Sequence, residues 1–94
     1  MSHIKVGSVQ YFVRTAGGGL VLVLIHGLGG DSGEWWKQLP VFSRQYYVVA
    51  PDLRGHGQSD KTAEAAYTPS MFAADVSKLL DKLNISTAWF CGKL

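Results

Sequence analysis

The sequence predicts an α/β fold built on a parallel sheet, and three runs of residues predict it. Residues 20–25, LVLVLI, are apolar at every position, the pattern of a strand covered on both faces rather than one. A second run of this kind, YYVVAP at 46–51, follows one helical segment, and a third, TAWFC at 87–91, follows another. Strands that alternate with helices connect through right-handed crossovers, which makes the strands parallel and lays the helices on the sheet faces.

Each element follows from local chemistry. Residues 4–6 and 9–13 are short β-type runs, and Gly7-Ser8 between them supplies the positive φ of a tight hairpin turn. An antiparallel pair is therefore expected at the N-terminus. Three glycines at 17–19 break the chain before the first buried strand. After the glycine-rich loop that follows it, Trp35, Trp36, Leu39 and Phe42 give a rough helical stripe interrupted by Pro40, so a short, distorted helix is expected over 34–42. Pro51 ends the second parallel strand, and a polar loop runs from 52 to 67.

Thr68-Pro69 is a helix start: the threonine oxygen accepts from an orphan backbone N–H, and proline at the first helical position gives up no bond it would have made. Phe72, Val76, Leu79, Leu80 and Leu83 then recur with helical spacing, with Asp75, Lys78, Asp81 and Lys82 mostly on the other side. Asn84 is placed to cap the helix end. The predicted order is β-β-β-α-β-α-β.

Composition narrows the partners. The chain has 94 residues, 47% hydrophobic and 17% charged, which fits one small globular domain over 1–94. Its 9 basic and 7 acidic residues are scattered, giving +2 overall, with no basic block to track nucleic acid or an anionic membrane. The single cysteine, Cys91, makes no internal disulfide, and no His/Cys cluster has metal-ligand spacing. A cytoplasmic protein with no metal, no cofactor, no nucleic-acid partner and no membrane span is expected.

Ligands of parallel sheets bind beyond the carboxyl ends of the strands, so the chemistry is sought there. The first end reads HGLGG, residues 26–30. Glycines let the backbone turn sharply and leave N–H groups free of side chains, which suits a developing oxyanion, although a plain tight turn explains them equally well. A dinucleotide fingerprint is a third reading, with Asp52 on a ribose. It fits less well, because Gly27 and Gly29 call for a third glycine at 32, where Ser32 stands. The terminal Gly92-Lys93 pair lacks the rest of a phosphate-binding loop.

The second end reads PDLRGHGQSD, residues 51–60. Gly55 and Gly57 permit a compact loop, and Asp52, Arg54, His56 and Asp60 tie it down by hydrogen bonds and ion pairs. His56 and Ser59 invite a base-and-nucleophile reading. The structural one is favoured, because catalytic triads are assembled across a fold and not along one turn.

Strand-HGLGG, then strand-PDLRGHGQSD, then a helix and a strand arriving at CG, together resemble the N-terminal part of an α/β-hydrolase of the esterase, enol-lactonase and haloperoxidase-like kind. The resemblance implies a serine hydrolase acting on carboxylic ester, lactone or related acyl bonds of a small molecule. It makes Gly27 and the backbone N–H of Leu28 part of the oxyanion hole, with His26, Gly29 and Gly30 supporting them. It makes Asp52, Arg54, Gly55, His56, Gly57, Ser59 and Asp60 a loop that shapes the site, and Trp35 or Trp36 a wall of the cleft.

The family's nucleophile elbow, G-x-S-x-G, holds its serine on a strained turn after the next strand. Gly92 and Lys93 fit its first two positions, and the nucleophile register falls on Leu94. The resemblance therefore implies a partial domain cut at the elbow, by truncation, frameshift or an incomplete gene model. Such a chain lacks nucleophile, acid and histidine and is incompetent alone. It also implies an open sheet edge at 87–91 where copies or partners could pair. A non-enzymatic fragment associating through that edge is the alternative, and a Rossmann-like nucleotide binder a more distant one.

Overall fold

The computed structural model describes residues 2–62 and 67–93. Strands β1 (Ser2–Val6), β2 (Val9–Gly17), β3 (Val21–Ile25), β4 (Tyr47–Pro51) and β5 (Trp89–Gly92) form one sheet in the order β1-β2-β4-β3-β5. β4, β3 and β5 run parallel, as the apolar runs predict. The N-terminal hairpin β1–β2 is antiparallel and joins the sheet through an antiparallel pairing of β2 with β4. β2 is longer than the expected 9–13 segment. Its second half, Arg14 to Gly17, pairs with β4 from Ala50 to Tyr47, so backbone pairing extends a strand whose side chains show no alternation there.

Alternation along β3 and β4 sorts the core onto two faces. Val23 and Val49 join Val9, Tyr11 and Val13 on one face, covered by Leu79 and Leu80 of helix α2 (Pro69–Lys82). Leu24, Val48 and Ala50 point to the other, where they pack against Trp35, Leu39 and Phe42. The helix expected over 34–42 divides into a 3-10 turn, Ser32–Trp35, and a short helix α1, Gln38–Phe42. The turn starts early because the Asp31 carboxylate accepts the Gly33 N–H at 2.7 Å. Pro40 is tolerated in the first turn of a new helix but could not continue one begun at 34.

Helix α2 begins and ends as its sequence dictates. Thr68 Oγ1 accepts the Met71 N–H at 3.1 Å and Pro69 occupies the first turn. At the other end Asn84 takes φ +60, while Asn84 N–H donates to Asp81 and Ile85 N–H to Leu80. These two bonds close a Schellman motif, and Ile85 adds its side chain to the core beside Leu80. Asp75 departs from the expected wheel: it is 4% exposed, on the apolar side, for a reason given below.

β5 is the exposed edge of the sheet, with Trp89 67% and Phe90 57% exposed. It spans 89–92 rather than 87–91. Cys91, expected to be buried in its strand, is exposed as well, because no element packs over β5 among the described residues.

Candidate functional site

Two loops leave the carboxyl ends of β3 and β4, and a histidine from each reaches into the other. His26, 2% exposed, accepts the Leu53 N–H at Nε2 (3.0 Å) and lies 2.7 Å through Nδ1 from the Gly27 carbonyl. A nitrogen that accepts carries no proton, so the proton of this ring sits on Nδ1 and is donated to Gly27. His56 has the mirror wiring: Nε2 accepts the Gly29 N–H at 3.0 Å, and Nδ1 lies 3.0 Å from the Arg54 carbonyl. The two rings meet with centroids 4.9 Å apart, and Phe72 of α2 stands edge-on to His56.

Asp52, buried at the end of β4, ties three segments together. Its Oδ1 accepts the Ser32 N–H at 2.6 Å and its Oδ2 the Gln58 N–H at 2.8 Å. Gly57, at φ +51, must be glycine, since a Cβ there would run into that carboxylate. Ser59 Oγ donates to the Asp52 carbonyl at 2.6 Å and accepts the Phe12 N–H at 2.9 Å. Asp60 pairs with Gln10 through both its backbone N–H and its carboxylate. Ser59 and His56 thus face different partners, and the serine hydroxyl is bonded to β2 and the strand end.

Arg54 explains the buried Asp75. Nε donates to Oδ2 at 3.0 Å and Nη2 to Oδ1 at 2.7 Å, a two-pronged pair that fastens the loop to α2. The Asp75 hydrogen bonds hold the guanidinium pKa above its usual value. Burial raises the neighbouring Tyr11 phenol, against the lowering effect of its hydrogen bond to Arg54.

In the 27–30 turn, three N–H groups are taken. Gly30 donates to Gly27 O at 3.0 Å, Gly29 to His56, and Gly27 faces Glu34 Oε1 at 3.5 Å. The Leu28 N–H has no acceptor among the described residues. Leu28 is 74% exposed and lines a cleft of about 440 Å³ whose other walls include Ile25, Leu53, Pro69 and Phe72, with His26, Tyr67 and Lys93 as its polar groups. An apolar cleft with a free N–H at strand carboxyl ends suits a developing negative charge on a bound small molecule.

Several expectations shift. Neither Trp35 nor Trp36 lines this cleft: Trp35 is buried under the sheet with Lys93 Nζ 4.7 Å above its ring, and Trp36 points outward. Tyr67 and Phe72 wall the cleft instead. Leu94, where the resemblance puts the nucleophile register, lies outside the described residues. The glycine loop opens onto a four-residue 3-10 turn, and both Asp52 oxygens are occupied by backbone N–H groups. A larger hollow of about 600 Å³ lies at the β1–β2 turn, away from the strand carboxyl ends, and its Arg54–Asp75 pair is internally satisfied. No group of His, Cys, Asp or Glu able to hold a metal occurs among the described residues, and none of their helices is long and apolar enough to cross a membrane.

The arrangement matches a known family. The model of the alpha/beta hydrolase fold matches residues 21–92. The chain belongs to the α/β-hydrolase family. Among the relatives of this hydrolase-family chain is the magnesium-chelatase 30 kDa subunit of Rhodobacter capsulatus, 38% identical over 94% of this chain and 32% of the relative. Another is 3-oxoadipate enol-lactonase 1 of Acinetobacter baylyi, 44% identical over 76% of this chain and 26% of the relative. The crystal structure of an enol-lactonase from Burkholderia xenovorans superposes with a TM-score of 0.89 at 32% identity, over 97% of this chain and 36% of that one. The α/β-hydrolase chain therefore spans about a quarter to a third of the length of these relatives. Its sheet and strand-end loops correspond to one part of the family fold.

Proposed function

We propose that the chain carries the electrophile-stabilising part of a serine-hydrolase-type site acting on carboxylic ester, lactone or related acyl bonds of small molecules. The observation that carries this reading is the Leu28 N–H, without an acceptor among the described residues and set at the rim of an apolar cleft. In acyl transfer the carbonyl oxygen gains negative charge as the carbon becomes tetrahedral, and an N–H already aimed at it lowers the barrier without reorganising. Gly27 belongs to the same oxyanion turn in the proposal, through its carbonyl held by His26 and Gly30, since its own N–H faces Glu34, and the 52–60 loop shapes the cleft. The enol-lactonase relatives support a cyclic or linear ester as substrate class.

The 94 residues alone are proposed to be catalytically incompetent, since Leu94 occupies the nucleophile register and a leucine cannot attack a carbonyl. A cytoplasmic setting accords with the lone cysteine. A phosphonate monoester, a stable mimic of the tetrahedral intermediate, tests the reading: titrated into isotope-labelled chain, it is expected to move the Leu28 amide resonance together with Phe72 and Tyr67. An unmoved Leu28 amide at saturating phosphonate sinks the proposal. Covalent labelling of the isolated chain by a fluorophosphonate probe sinks its second half.

A second reading, a non-enzymatic piece that pairs through β5, is favoured by the uncharged stretch 85–92 on an exposed edge. It predicts association without labelling.

A further inference from the structure

We propose that His56 is a positioning residue that fixes the peptide plane following Leu28, and thereby helps aim the Leu28 N–H. This deepens the oxyanion reading above and rests on it. A trans peptide is planar, so its C=O and N–H point in opposite directions and fixing one fixes the other. The plane before Leu28 contains the Gly27 carbonyl and the Leu28 N–H. That carbonyl is held by His26 Nδ1 at 2.7 Å and by the Gly30 N–H at 3.0 Å, which sets the direction of the N–H opposite.

The plane after Leu28 contains the Gly29 N–H, and its acceptor is His56 Nε2 at 3.0 Å. With both flanking planes held, the two soft torsions of Leu28 have no remaining freedom. Gly29 itself lies at φ +84, a conformation in which a mobile turn would readily exchange for others. His56 is held in its own turn. Its Nδ1 donates to the Arg54 carbonyl, and the Arg54 side chain is clamped on Asp75 of α2. Orientation therefore passes from α2 through Arg54 and His56 to Gly29 and Leu28, and none of these groups besides Leu28 needs to touch substrate.

The test reads the chain by NMR. A long-range proton–nitrogen spectrum is expected to show His56 protonated at Nδ1 and bare at Nε2. Amide exchange at Gly29 is expected to be about tenfold faster in His56→Ala, the loss of one hydrogen bond, while Val23 and Val49 in the sheet keep their rates. His56→Gln, whose carboxamide oxygen replaces the Nε2 acceptor, is expected to restore Gly29 protection, and the Leu28 amide resonance should follow Gly29 in both variants. Wild-type exchange at Gly29 in His56→Ala overturns the proposal, as does a proton on His56 Nε2 in the parent. Faster exchange at Val23 and Val49 without rescue by glutamine also overturns it, since His56 would then be a determinant of the whole fold. The two readings fail separately: an unmoved Leu28 amide in the phosphonate titration, with Gly29 protection lost only in His56→Ala, removes the oxyanion role and leaves the positioning intact.

Discussion

Arg54 and Asp75 meet through two bonds of 3.0 and 2.7 Å, with side chains only 15% and 5% exposed. A charge pair with so little exposed surface is fragile to the loss of one member, because the survivor stays largely buried without a counter-charge. Asp75→Ala is expected to cost about 3–5 kcal/mol, much of the stability of a small domain. Circular dichroism during urea titration should show the midpoint collapse. A variant that melts like the parent would mean the pair is matched by water in solution.

The Tyr11 phenol beside this pair gives a pH signature. Its folded pKa is raised above the ordinary 10.0 by burial. A raised acid holds its proton in the folded chain after the unfolded chain has released it, so its contribution is fully present below about pH 10 and is lost as pH climbs through the folded value. Thermal melts from pH 8 to 11 should therefore show a fall in Tm above pH 10 that is steeper than in Tyr11→Phe. Parallel curves for the two proteins would contradict it.

Gly57→Ala forces a side chain into a left-handed backbone and against the Asp52 carboxylate. The strain is expected to cost about 1–3 kcal/mol and to release the Ser32 and Gln58 amides from Asp52. Hydrogen exchange at those two amides, faster than at Val48 or Val49, is the measurement.

Edge strand β5 carries no charge and exposes both Trp89 and Phe90, which is the pattern of an unguarded edge. Sedimentation velocity should find concentration-dependent association of the parent at micromolar concentration. Phe90→Lys, a charge on that edge, should shift the distribution toward monomer. A parent that stays monomeric at all concentrations would refute the pairing reading.

The parts of the fold legible in sequence are those whose signal is local. Helix α2 declares itself at Thr68-Pro69, along its apolar stripe and at Asn84, because capping and periodicity act within a few residues. β3 and β4 are legible because unbroken apolar runs have few other uses. The burial of Asp75 was within reach of the helical wheel, which sets it on the side of Phe72 and Leu79, but a carboxylate is read as solvent-facing until its arginine is known. The 3-10 turn at Ser32–Trp35 hid behind the aromatic stripe, whose wider helix Pro40 forbids. In the site, the residue types at both strand ends were visible, whereas the crossing of His26 to Leu53 and of His56 to Gly29 joins positions 27 apart and leaves no periodic trace.

The bonds from Ser59 and Asp60 back to Phe12 and Gln10 bridge 47 and 50 positions. Such closures are slow to find by random search, yet synthesis runs from the N-terminus, and the β1–β2 hairpin needs only its own turn to form. The 52–60 segment is therefore synthesised after the hairpin it closes onto, and the sequence places the partners of its longest bonds ahead of it in the chain.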